Sequence, residues 1–266
     1  MNEVLKKYEG RAEDANSLLC VGLDPDPARI PAQFASDPYP QFAFNKWIID
    51  QTAPYAAAYK PNMAFYEGRG ADGWHDLRMT VDYLRENYPE MLTICDAKRA
   101  DISTTNDGYV RAIFDLLNFD AVTLNPYLGG EALKPFLERE DKVCILLCRT
   151  SNPGSGEIQS LSVEGKPIWK IVAERVRDRW NAQGNCMLVM GATYPDELRE
   201  VRAIVGEMTL LVPGIGTQGG SVEQTVQLGR NRVGRGLIIN ASRGIIFADN
   251  PAEAARQLRD AINACR

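Results

Sequence analysis

The feature that most constrains the fold is a regular alternation of short β-rich runs with amphipathic stretches. Apolar or β-branched segments near residues 18–24, 57–63, 92–98, 121–126, 143–148, 186–192, 209–214 and 237–242 read as strands. Helical patterns separate them, among them 75–87, 165–182 and 194–204. A strand followed by a helix and then a further strand calls for parallel pairing with the helices outside. Eight such units fit a closed (β/α)₈ barrel, and the 266 residues, 45% of them apolar, supply core for one such domain over 1–266.

Charge and cysteine content narrow the function classes. A formal net charge of −5 gives no global basic field for nucleic acid or an anionic membrane, so an anionic ligand needs a local site. Cys20, Cys95, Cys144, Cys148, Cys186 and Cys265 are scattered without a CxxC pair, beside a single histidine, His75. That pattern reads as reduced, packed thiols of a cytoplasmic protein rather than disulfides or metal ligands. The N-terminal stretch is polar and no apolar run is long enough to span a membrane, so neither a signal peptide nor an anchor is expected.

Chemistry-bearing residues gather where strands should end. Unpaired charge near a core is costly, so its recurrence at strand ends points to a site. The first strand ends at Asp24, the second at Lys60, the third at Asp96 and Lys98, and the fourth at Asn125; later ones end at Arg149, Thr150 and Ser151, then Gly214 to Gln218, then Ser242 and Arg243. On the third strand a period of two puts Leu92, Ile94, Asp96 and Lys98 on one face. Asp101 follows in a D-x-K-x-x-D pattern, and Lys60 brings a further charge from the neighbouring strand. Interleaved charges of this kind hold lysines protonated and aspartates ionised.

The seventh strand runs into PGIGTQGG, with Gly214, Gly216, Gly219 and Gly220 around Gln218, and the eighth into INASRG with Ser242 and Arg243. Loops after strands seven and eight are the usual phosphate cradle of such barrels, so a phosphorylated substrate is expected. Two loops are longer than connection requires, 25–39 and 149–164, and the second is a candidate lid. Residues 68–73, GRGADG, imitate a dinucleotide fingerprint but lie four residues past a strand, and are expected to form a loop. His75 should open the next helix, and one isolated histidine supports no Ser/His/Asp triad.

With DAKRADISTTN at 96–106, AYKPNMAFYE at 57–67 and VPGIGTQGG at 212–220, the chain resembles the orotidine 5′-monophosphate decarboxylases, in particular the bacterial subgroup with RTSNPG after strand five. The resemblance implies a cofactor-free, metal-free conversion of orotidylate to UMP. In it Lys98 protonates C6, Asp96 faces the substrate carboxylate, and Lys60 links that aspartate to the ribose. Asp24 holds the ribose or its neighbourhood, Ser151 reads the pyrimidine edge, Gln218 and Arg243 hold phosphate, and Asn125 supports the site. It also implies a homodimer in which Asp101 and Thr105 reach the partner's site. Gln159 in the lid could meet phosphate or base. Two alternatives stay open: a magnesium-dependent keto-sugar-phosphate decarboxylase or aldolase, disfavoured by a lysine at position 60 where a metal would be repelled, and a catalytically inactive nucleotide-binding barrel.

Overall fold

The computed structural model describes residues 2–215 and 219–266, with only the backbone of Ser103. Eight parallel strands close a barrel: β1 (Leu19–Leu23), β2 (Ala58–Pro61), β3 (Leu92–Arg99), β4 (Ala121–Leu124), β5 (Val143–Arg149), β6 (Cys186–Met190), β7 (Leu210–Pro213) and β8 (Leu237–Ala241). Each pairs with the next in sequence, and β8 closes on β1 through Leu19 opposite Ile239. Every residue of β1, β2, β4 and β6 is buried. Helices cover the outer face and side chains fill the inner one, so these strands read as continuous apolar runs rather than alternating ones.

The covering helices are α2 (Pro40–Thr52), α3 (Gly70–Asn87), α4 (Ser103–Val110), α5 (Gly129–Leu137), α6 (Ile168–Arg175), α7 (Pro195–Val205), α8 (Val222–Gly229) and α9 (Pro251–Asn263). In α3 the buried positions 73, 76, 77, 80, 81 and 84 follow the helical period. The N-terminal helix α1 (Glu3–Asp14) plugs the opposite mouth. Its Tyr8 hydroxyl donates to Leu237 O at 2.5 Å, Lys7 pairs with Asp120 at 2.8 Å, and Arg11 donates to Ala56 O at 3.2 Å. With that end sealed, the free mouth is the one at the strands' C-terminal ends. Among the described residues no helix is long and apolar enough to cross a membrane.

Three features differ from the sequence reading. Residues 68–73 are not a loop throughout: Gly70, with φ +63°, begins α3, so the motif's second half is the first helical turn and His75 lies inside the helix, its ring 4.8 Å from that of Tyr39. Gly73 explains the early start, because a Cβ there would fall 1.9 Å from Tyr66 O, so only glycine lets the chain enter the helix this close. The helix expected over 165–182 runs from Ile168 to Arg175 and widens into a π-helical turn over Val176–Trp180. The segment 149–164 is more structured than a plain loop, with a 3₁₀ turn (Pro153–Ser155), a short helix (Gly156–Gln159) and a strand pair joining Ser162–Val163 to Lys166–Pro167. The loop 25–39 carries only one helical turn, Ala32–Ala35.

Candidate active site

The period of two on β3 breaks near its end. Pairing with β4 passes from Cys95 opposite Val122 to Arg99 opposite Leu124, so β3 spends two extra residues there. Lys98 sits within this bulge at φ +47°. A left-handed conformation costs a residue bearing a Cβ roughly 1–2 kcal/mol, and such strain persists only where surrounding contacts fix it. Here the Lys98 N–H donates to Thr123 Oγ1 at 2.9 Å. Asp96 and Lys98 consequently both face the cavity at the strands' C-terminal ends, although by a bulge rather than by simple alternation.

Asp96 organises the charges. Its Oδ2 accepts from Lys60 Nζ at 2.8 Å, and its Oδ1 accepts from Lys98 Nζ at 2.6 Å and from Thr123 Oγ1 at 2.9 Å. Lys60 and Asp96 are buried, whereas the Lys98 side chain is 48% exposed and reaches into the cavity. Burial would push the Asp96 carboxyl up, but Lys60 and Lys98 together hold it far below the ordinary carboxylate range. Burial likewise opposes charge on Lys60, but Asp96 and Asp24 keep its ammonium above the ordinary lysine range. Three donors on one carboxylate make a preorganised array in which the exposed ammonium is the group free to meet a ligand.

Around this floor the cavity, about 1220 Å³ in volume, is lined by Asp24, Asn125, Ser151, Gly214, Ser242 and Arg243 among others. Asp24 Oδ1 accepts from the Asn62 N–H at 3.2 Å, which holds it beside Lys60. Asn125 spends its Oδ1 on the Tyr127 N–H at 3.1 Å, capping the turn Pro126–Leu128. Ser151 backs onto Gly191, where a Cβ would lie 2.8 Å from Ser151 N. Gly214 has φ +100°, and its carbonyl accepts from the Gly220 N–H at 3.1 Å, closing the loop after β7. Gly216 and Gln218 lie outside the described residues. Arg243 is exposed and lines the cavity; among the described residues it makes no ion pair, and the buried Ser242 Oγ beside it has no hydrogen-bond partner.

Asp101 and Thr105 do not line this cavity. The Asp101 carboxylate accepts from the Ile102 N–H at 2.7 Å, and its own N–H donates to Asn106 Oδ1 at 2.8 Å. Within one chain the charge cluster is therefore Lys60, Asp96 and Lys98 with Asp24 nearby, not the D-x-K-x-x-D triplet as read along the strand. Gln159 lines the cavity but is tied to Thr150: its Oε1 accepts from the Thr150 N–H at 2.9 Å and its Nε2 donates to Thr150 Oγ1 at 2.8 Å. Arg149 turns away from the cavity, buried against the Tyr194 ring at 3.7 Å, and donates to Ser155 Oγ at 2.9 Å, so it anchors the segment after β5. All six cysteines are free, and burial lifts the Cys20 thiol to about 12.

Sequence reasoning passed over Thr123 and Asn240. Asn240 is buried on β8 and lines the cavity, and its Oδ1 has no partner among the described residues. Both were signalled by polarity at positions sharing an inward face with flagged residues, Thr123 two before Asn125 and Asn240 two before Ser242.

Comparison with known proteins places the chain in one family. A protein from Janthinobacterium sp. (strain Marseille) named orotidine 5′-phosphate decarboxylase is 46% identical over 97% of each chain. The solved structure of Leishmania donovani OMP decarboxylase superposes with a TM-score of 0.90 at 40% identity, covering 100% of this chain and 99% of that one. Leishmania donovani UMP synthase gives 0.90 at 42% identity, with 98% of this chain matching 56% of that one. The model of the Orotidine 5′-phosphate decarboxylase / HUMPS family matches residues 17–258, and the chain belongs to that family.

Proposed function

We propose that the chain is a carboxy-lyase that converts orotidine 5′-monophosphate to UMP and CO₂ in pyrimidine biosynthesis. The observation that carries this reading is the Lys60–Asp96–Lys98 array at the floor of a cavity whose rim presents Arg243, without an ion pair among the described residues, in a chain of this family. The C6–carboxylate bond breaks with its electron pair left on C6, CO₂ departs, and the Lys98 ammonium delivers a proton to C6, to be reprotonated from solvent. The pair on C6 has no adjacent carbonyl to spread into, so an ammonium already aimed at it is the main source of transition-state stabilisation. Ionised Asp96, beside the site of the departing carboxylate, fixes that ammonium. In the same reading Asp24 meets the ribose, Ser151 the pyrimidine edge, and Arg243 with Gln218 the phosphate, while Asn125, Gly214, Gly216 and Ser242 shape the rim. Phosphate binding remote from C6 supplies energy for closing the lid.

This chemistry needs neither metal nor organic cofactor. A lysine in place of an acidic metal ligand at position 60 favours it over the magnesium-dependent alternative. We further infer a cytoplasmic homodimer with Asp101 and Thr105 completing the partner's site. Both lie outside their own cavity, Ile102 between them is exposed, and the turn after β4 exposes Tyr127 and Leu128, apolar groups suited to contact with a second copy. The test is loss of orotidylate absorbance on adding EDTA-treated enzyme. Undiminished turnover supports the reading, and enzyme that binds UMP but releases no CO₂ replaces it with a nucleotide-binding barrel.

A further inference from the structure

Thr123 occupies an inward position of β4 and is 1% exposed. Its hydroxyl makes two hydrogen bonds whose directions are fixed by their partners. An ionised carboxylate only accepts, so the hydroxyl proton goes to Asp96 Oδ1 at 2.9 Å. A backbone N–H only donates, so a lone pair of the same oxygen receives the Lys98 N–H at 2.9 Å. That N–H belongs to the left-handed residue at the centre of the β3 bulge. One oxygen therefore clamps both ends of the Asp96–Lys98 pair: the backbone from which the lysine springs and the carboxylate that receives its ammonium at 2.6 Å. Only a donor-acceptor side chain short enough for this gap serves both bonds; valine has the same shape and serves neither.

We propose that Thr123, 1% exposed at the cavity floor, is the positioning residue that aims the Lys98 ammonium at C6, acting through the Lys98 backbone and the Asp96 carboxylate. This deepens the decarboxylase reading and rests on it. Thr123 lies on a different strand from both partners, so the aim of the proton donor depends on the β3–β4 junction and not on β3 alone.

The experiment compares wild type, T123V and T123S in steady-state turnover of orotidylate, UMP affinity, thermal melting and hydrogen exchange at the Lys98 amide. A neutral donor to a charged acceptor is lost in T123V together with the backbone clamp, so kcat should fall roughly 30- to 100-fold. KM and the UMP Kd should stay within about threefold of wild type, because ligand anchoring lies elsewhere, and the Lys98 amide should lose its protection. T123S restores both bonds and should recover kcat to within about fivefold. The proposal is overturned if T123V keeps wild-type kcat, or if T123V and T123S both lose rate, UMP affinity and melting temperature together, which marks a packing role. Wild type inert toward orotidylate would instead remove the decarboxylase reading itself, and the proposal with it, before any variant is compared.

Discussion

At the scale of single residues, the energetics centre on a carboxylate and an ammonium that cannot be buried apart. Removing Asp96 leaves Lys60, itself 4% exposed, without its direct counter-ion. D96A should lose about 3 kcal/mol of unfolding free energy in urea titrations. In wild type Asp96 is depressed and Lys60 raised. The Asp96 contribution is complete above the unfolded carboxylate range, near pH 4, and fades only as pH falls through its lower folded value; that of Lys60 is complete below about pH 10 and fades only beyond its higher folded value. Between about pH 5 and 9 neither changes charge, so stability from this pair should be flat. In D96A burial favours the neutral amine, the folded state binds fewer protons than the unfolded, and stability should rise with pH; a flat profile in D96A would count against this account. These charges were legible in the sequence because Asp96 and Lys98 interrupt an apolar strand. The Thr123 clamp was not: polarity at an inward position marks the residue, but the bulge that brings the Lys98 N–H to it leaves no local mark.

At the scale of elements, the segment after β5 is held at both ends. Buried Arg149 grips Ser155, and Gln159 folds back on Thr150. S155A should loosen the 3₁₀ turn and raise the orotidylate KM by roughly fivefold to tenfold while melting changes little, read by kinetics and calorimetry. Unchanged KM would mean that the turn is held by other contacts. Gly191 on the neighbouring connection sets the seat of Ser151, and G191A should displace that backbone and weaken UMP binding about tenfold by titration calorimetry. Strand positions were readable because runs such as VCILLC have no other comfortable fate than a covered sheet. Helix starts were less so: Gly70 begins α3 with a turn that local composition assigns to a loop, and close packing of Gly73 on Tyr66 decides the matter. Arg149 was visible as a strand-end charge, but the register shift between Leu147 and Arg149 turns it outward, which no period could show.

At the scale of the whole molecule, the repeated unit determined the fold: eight parallel strands follow one another around the barrel in sequence order until the last pairs with the first, with the helices outside. Assembly is not written in a single chain's contacts, but the placement of Asp101 and Thr105 outside their own cavity makes it testable. If each site borrows Asp101 from the partner, K98A and D101A proteins, each inactive alone, should on mixing and exchange regain about a quarter of wild-type activity, because half the dimers are mixed and each holds one intact site. No recovery despite confirmed subunit exchange would place Asp101 in its own chain's chemistry.

The central chemical role is that of Lys98 as the proton donor. The most direct measurement is the rate of orotidylate decarboxylation by K98A beside wild type, with UMP affinity measured on the same preparations. Loss of several orders of magnitude in kcat with UMP still bound is the predicted result. A K98A protein that turns over within about tenfold of wild type would contradict it and move the source of the C6 proton elsewhere.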